Sequence, residues 1–282
     1  DPFFGGAVNA QNVKNSWIYS GSVNIPYIGR FINVREEYDI KSIEETNTIM
    51  DVSGNLQNII NSPLLNDGLL TIIYFPKGTY FFGSGITLKS NIIIKGDGGS
   101  FLMPCKTEFY FQFQGMLGYH GATIKMNNTY NCGIEDIIIN RHDYGWKTSS
   151  SNGIEINNST NCWVKGVESI NCIKNHVLLE NSQYITISGC YFNDTQYRGD
   201  GGEGYGVLLQ GTTHFCLVED NYFYNLRHAI VLQHFPHQNV ISYNYAYSSK
   251  GSVQVLGTID LPDLSFHGRH NNNYAGPSWN LL

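Results

Sequence analysis

Apolar and polar residues alternate along this chain in runs of about four, and the runs recur with matching flanks. Gly153-Ile154-Glu155-Ile156, His176-Val177-Leu178-Leu179, Gly206-Val207-Leu208-Leu209, Ala229-Ile230-Val231-Leu232 and Ser252-Val253-Gln254-Val255 form one column. Their first apolar residues, at 154, 177, 207, 230 and 253, are 23, 30, 23 and 23 residues apart. A second column, Ile94, Ile134, Val164, Ile187, Val218 and Ile241, follows with intervals of 40, 30, 23, 31 and 23. Period-2 runs this short are strands, and two columns in step at a fixed period predict a repeat architecture.

The pattern predicts an all-β fold, a right-handed parallel β-helix in which each unit of about 23 residues is one turn of a solenoid. Equivalent strands then stack about 4.8 Å apart and like side chains form files. Cys132, Cys162, Ile185 and Cys216 fall in one inward file. Asn91, Asn131 and Asn161 recur at one bend, where a left-handed conformation suits Asn. A β-sandwich with fortuitous spacing is the competing architecture. Residues 51–62 (DVSGNLQNIINS) read as a short amphipathic helix capping the first turn, since an open end exposes core and strand edge. Residues 1–50 are expected to be an N-terminal extension packed on that end, and 51–282 the β-helix. Trp279-Asn280-Leu281-Leu282 looks like the start of another second-column strand, so the coil is expected to stop within a turn.

The stretch from Tyr74 to Gly99, YFPKGTYFFGSGITLKSNIIIKGDGG, resembles the amino-terminal signature of the pectate lyase and polygalacturonase superfamily, also called pectin-lyase-like. Members carry a cap helix, an "fPkGtY" strand and an "itLksnvtikG" first turn. The likeness extends over roughly residues 50–255 as pattern and 71–99 as motif. The Gly-Asp-Gly-x-x-Asp-Asp-Thr stretch common before the helix is missing. The resemblance implies the fold directly and the chemistry only loosely, because one fold hosts many functions.

The repeat also locates insertions. From second column to first column takes 13 residues (164 to 177) or 12 (218 to 230, 241 to 253), but 20 from 134 to 154 and from 187 to 207. Both longer segments therefore emerge from one corner, two turns apart, as facing walls about 10 Å from each other. One wall carries Arg141, Asp143, Trp146 and Lys147, the other Tyr197, Arg198, Asp200, Glu203 and Tyr205. Trp146, Tyr197 and Tyr205 suit pyranose faces, while Arg141, Lys147 and Arg198, with Asp143 beside them, suit the polar groups of an acidic sugar. Just ahead of the first-column strands stand Lys174, Arg227 and Lys250, a basic file spaced for successive anionic units. His176 and His228 lie beside them.

In the polygalacturonase branch the resemblance would put catalytic residues at this same place. However, Asn-Thr-Asp, an Asp-Asp pair and Gly-His-Gly are all missing there. Two-carboxylate hydrolysis is the weaker expectation. β-Elimination from a uronate needs a base and a cation to hold the enolate. The lyase relatives imply Lys or Arg as base and calcium as cation. Lys174, His176, Arg227 and His228 are then the candidate proton-transfer groups. Asp200, Glu203, Glu219 and Asp220 are the candidate calcium ligands, oxygen donors as that ion requires. His234, His237, His267 and His270 match no helical metal motif and read as turn residues.

Composition fits this picture. Of 282 residues, 41% are hydrophobic and only 14% charged, and 19 are Tyr. A net charge of −6 argues against a nucleic-acid partner, and no apolar run is long enough to span a membrane. The six Cys show no CxxC pair and are read as small core residues rather than bridges. Sequons at Asn127, Asn157, Asn158 and Asn193 agree with a secreted or cell-surface glycoprotein, and a chain beginning at Asp1 rather than Met is expected either to have lost a leader or to be part of a longer sequence. The leading expectation is a polysaccharide lyase acting on an anionic, uronate-containing glycan. The alternatives are a non-catalytic adhesin, spike or filament subunit, with end-to-end self-association or a further chain completing the last turn, and a glycoside hydrolase using Asp143 with Asp200 or Glu203.

Overall fold

The computed structural model describes residues 28–98, 107–111, 124–141, 152–195 and 204–247, and the backbone of 264–267. Within them the chain winds repeatedly through three parallel sheets in the same order. Sheet 1 has eight strands, from Ile28–Asn33 to Val240–Ser242. Sheet 2 has seven, from Gly78–Phe82 to Tyr245–Tyr247. Sheet 3 has seven, from Ile86–Leu88 to Leu264–His267. Every pairing joins a strand to its equivalent one turn away, and such parallel crossovers are right-handed. The fold is a right-handed parallel β-helix.

The two expected columns are sheets 3 and 1. Ile154 lies opposite Val177, Val177 opposite Val207 and Val207 opposite Ile230. Ile134, Val164, Ile187, Val218 and Ile241 are likewise in register. Sheet 2 was not among the expected columns. Its strands follow sheet 1 after two-residue turns such as Asp136–Ile137 and Gly166–Val167, so the two sheets read as one polar-interrupted run. Asp136, Gly166, Gly189, Asp220 and Tyr243 occupy left-handed φ values at that turn.

Three expectations shift. Ile28–Asn33 already runs parallel to Leu70–Tyr74, so the coil begins well before residue 51. The cap helix is Ser53–Asn61, and it sets Leu56, Ile59 and Ile60 into the main core. The strand stacked on His228–His234 is Leu264–His267, with Ile230 opposite Leu264. The Ser252–Val255 run expected there lies outside the described residues, as do Trp279–Leu282.

Inward files fill the coil. Near the cap, Phe75, Tyr80, Phe82, Phe109 and Phe111 pack ring on ring, with neighbouring centroids 4.6 to 5.0 Å apart for the closest pairs. Farther along, Cys132, Cys162, Cys190 and Cys216 are buried free thiols, as is Cys172. Burial pushes Cys190 and Cys216 up to about 12, as expected of small core residues.

Register also organises the outside of sheet 1. Tyr74, Lys95, Glu135, Lys165, Ser188 and Glu219 are consecutive neighbours in one outward file. Lys95 Nζ reaches Glu135 Oε2 at 3.1 Å and Asp136 Oδ2 at 2.5 Å, while Trp163 Nε1 donates to Glu135 Oε1 at 2.6 Å. Burial drives the Glu135 carboxyl up to about 7 against the pull of Lys95. Alternating charge of this kind penalises a slip of one turn, where like charges would meet.

Candidate functional site

The corner between sheets 2 and 3 is where the turn length varies. The chain leaves sheet 2 at Arg141 and Thr195 and re-enters sheet 3 at Ile154 and Tyr205, two turns apart, whereas Cys172 and Tyr224 connect to sheet 3 within a few residues. Both longer segments thus leave from one corner, as the spacing predicts. Asp143, Trp146, Lys147, Tyr197, Arg198, Asp200, Glu203 and Lys250 lie in segments outside the described residues.

The floor of this corner is well defined. Gly204 N and Tyr205 N both donate to Lys174 O, at 2.6 and 3.0 Å, and Arg227 N donates to Gly204 O at 2.7 Å. Lys174, Gly204 and Arg227 are therefore rungs of one backbone ladder. Two partly buried basic residues stand about 10 Å apart with a glycine between them. Asn175 follows Lys174 in the same turn and Asn152 lies one turn nearer the cap, and they are fully or nearly buried. Asn175 Nδ2 donates to Asn152 Oδ1 at 2.7 Å, and Asn152 Nδ2 approaches Glu155 Oε2 at 3.4 Å. Glu155 is the outward residue of its strand and half-buried, a carboxylate that the column pattern marked only as a polar spacer.

Other expected residues are placed differently. Arg141 is 1% exposed and donates from a guanidinium nitrogen to Asn152 O at 3.0 Å, so it clasps the corner from within. Tyr205 is equally buried, packed outside the coil with Leu178, Leu208 and Val231. The Arg227 guanidinium lies 5.9 Å over the Tyr205 ring, and His228 sits 5.4 Å from that ring, itself buried. Tyr205 therefore props Arg227 rather than offering a face to a sugar.

His176 is fully buried. Its Nδ1 lies 2.8 Å from Ser169 Oγ and its Nε2 3.1 Å from Asp194 O. Burial lowers it to about 3, so the imidazole is neutral at ordinary pH and holds the corner's shape. Access and charge both argue against a proton-transfer role.

Of the four carboxylates proposed for calcium, Glu219 belongs to sheet 1 and Asp220 to the turn between sheets 1 and 2, while Asp200 and Glu203 lie outside the described residues. Among the described residues no three His, Cys, Asp or Glu side chains come together to hold a metal ion.

The fold recurs in solved structures. A proposed glycosyl hydrolase from Parabacteroides merdae superposes with a TM-score of 0.57 at 13% identity, covering 79% of this chain and 99% of the other. The tailspike protein of E. coli bacteriophage HK620, in complex with a pentasaccharide, gives 0.52 at 15% identity over 88% of this chain and 50% of the other. An iota-carrageenase complexed to iota-carrageenan fragments gives 0.51 at 13%, over 77% and 56%. The chain thus spans about half the length of the tailspike and the carrageenase. At these identities the likeness is one of fold. No curated protein sequence matches the chain. The model of the family "Rhamnogalacturonase A/epimerase, pectate lyase-like" matches residues 31–254, from the first sheet-1 strand past the last sheet-2 strand, and the chain belongs to that family.

Proposed function

We propose that this chain acts on an acidic polysaccharide at the corner between sheets 2 and 3, cleaving it by β-elimination outside the cell. The observation that carries the reading is the backbone ladder Lys174–Gly204–Arg227, which sets two basic side chains along the coil axis where the longer segments leave. Family membership supports a carbohydrate substrate, and two of the similar structures hold saccharides.

In this reading Arg227, propped by Tyr205, pairs with a uronate carboxylate and stabilises the charge that builds on it as the neighbouring C–H bond breaks. Lys174, in its uncharged form, takes that proton. The C–O bond to the departing sugar then breaks, the lysine ammonium so formed or a water gives its oxygen a proton, and an unsaturated uronate remains. Asn152 and Asn175 fix the floor. The described helices include none long and apolar enough to cross a membrane.

Incubation with polygalacturonate, alginate and glycosaminoglycans tests the reading by the ultraviolet absorbance of the unsaturated product. Lys174→Gln and Arg227→Gln are each expected to lower the rate about 100-fold or more. If no chromophore forms on any of these polymers, elimination is wrong. The partly exposed Glu155 favours hydrolysis as the second reading, and new reducing ends without absorbance would select it.

A further inference from the structure

The corner between sheets 3 and 1, one sheet away from the ladder of Lys174 and Arg227, departs from the turn chemistry of its own repeat. Tyr130, Thr160, Gln183, His214 and His237 are bridged one to the next along the axis. The residue after each, Asn131, Asn161, Tyr184, Phe215 and Gln238, has φ of 54° or 55°. Asn91 and Asn131 obey the usual preference. They turn inward, 6% and 8% exposed, and Asn131 Nδ2 donates to Asn91 Oδ1 at 3.0 Å. Tyr184 and Phe215 hold the same left-handed backbone, which disfavours bulky side chains, and yet stand out to solvent at 46% and 43% exposure. Their rings lie 5.3 Å apart at 17°. Nothing is gained for the fold by two strained, solvent-facing rings where Asn already serves, and such outliers point to function.

The surroundings indicate the ligand. His214 stacks on His237 at 5.0 Å and 6°, and meets Phe215 edge-on at 4.8 Å. Their Nδ1 atoms lie 2.7 and 3.0 Å from Thr212 O and Phe235 O. A carbonyl accepts, so each Nδ1 donates, and each Nε2 is left to meet a ligand hydroxyl. Toward the cap, the same corner opens into a cavity of about 370 Å³. Tyr130, 49% exposed, forms one wall, and Lys89, Ser90, Asn127 and Asn128 offer a cation, a hydroxyl and amides. The described lining contains no carboxylate. Aromatic rings, imidazole nitrogens and an amide-lined pocket with one cation, in a line along the axis, match an extended acidic oligosaccharide.

We infer that this corner is a second, non-catalytic binding track for an acidic oligosaccharide, with one carboxylate at Lys89 and the chain continuing past Tyr130 toward Tyr184 and Phe215. It would hold a polymer while the other corner works, and it stands whether or not that corner cleaves.

The test uses the full chain carrying Lys174→Gln, so that turnover does not consume the probe. Binding of size-defined oligogalacturonate and alginate oligosaccharides is measured by calorimetry, with cellohexaose as the neutral control. Tyr184→Asn with Phe215→Asn should weaken binding of at least one acidic probe about tenfold, which is 1.4 kcal/mol. Because Asn suits the left-handed turn, the same variant should unfold at higher urea than its parent. Lys89→Gln should weaken the acidic probe and leave cellohexaose unchanged. Unaltered affinity in the double variant overturns the proposal. So does a loss of affinity accompanied by a lower urea midpoint, equal binding of cellohexaose by the parent, or no binding of either acidic probe.

Discussion

Gly133→Ala isolates a contact that exists only if the turns are stacked as described. Gly133 faces Trp163 across sheet 1, a neighbour 30 residues away in sequence. A Cβ on residue 133 would stand 2.3 Å from Trp163 Nε1 and 2.4 Å from Cε2, where ordinary contacts begin at 3.4 Å. The indole must therefore retreat by about 1 Å, but it is 1% exposed and packed with Leu70, Ile72 and Ile93. Overfilling such a site costs about 1–3 kcal/mol. The retreat also strains the 2.6 Å bond from Nε1 to Glu135 Oε1, and leaving a buried polar group without its partner costs about 1–3 kcal/mol. Allowing for overlap between the two, Gly133→Ala should destabilise by about 3–4 kcal/mol, read as a lower urea midpoint at unchanged slope. In a Trp163→Ala background the clash and the bond are both gone, and Gly133→Ala should then be neutral or favourable by about 0.5–1 kcal/mol. A penalty below about 1 kcal/mol in the wild type, or the same penalty with and without the indole, would refute the stacking.

Two further outcomes follow from burial. His176 is held at about 3 in the folded chain against 6.5 when free, so the unfolded chain binds the extra proton and folding is weakened as pH falls from 6.5 toward 3. The loss should approach about 1.4 kcal/mol per pH unit in that window. His176→Gln, able to reach the same partners, should flatten this acid limb in urea titrations. Superimposable acid limbs would mean the imidazole is charged and solvated. The five described thiols should resist a colourless-to-coloured disulfide reagent in the native state and react together on unfolding, since Cys132, Cys162, Cys172, Cys190 and Cys216 are all buried. Fast reaction of any one of them under native conditions would contradict the inward files.

Much of the fold was legible because a coil writes its geometry as spacing. Once Ile154 and Val177 are equivalent, distance along the chain becomes height along the axis, and the corner that carries the longer segments is found by counting. Sheet 2 escaped notice for a local reason: Ile139, Phe192 and Phe223 follow sheet 1 after turns of only two residues, too short to mark a separate column. Side-chain roles were harder to read, because an outward position in a strand does not specify exposure. Arg141, Tyr205 and His176 all belong to the polar corner by sequence, but each is covered, and a covered polar group is constrained by its partners rather than offered to a ligand. Exposure separates Lys174 and Arg227 from their neighbours, and no pattern of residue types contains it. The same argument runs in the opposite direction at Tyr184 and Phe215. Aromatic residues at a turn read as ordinary surface until the backbone is known to be left-handed there. A composition-based reading weighs what a residue is, whereas the informative quantity at both corners is the mismatch between the residue and the conformation or environment it is held in.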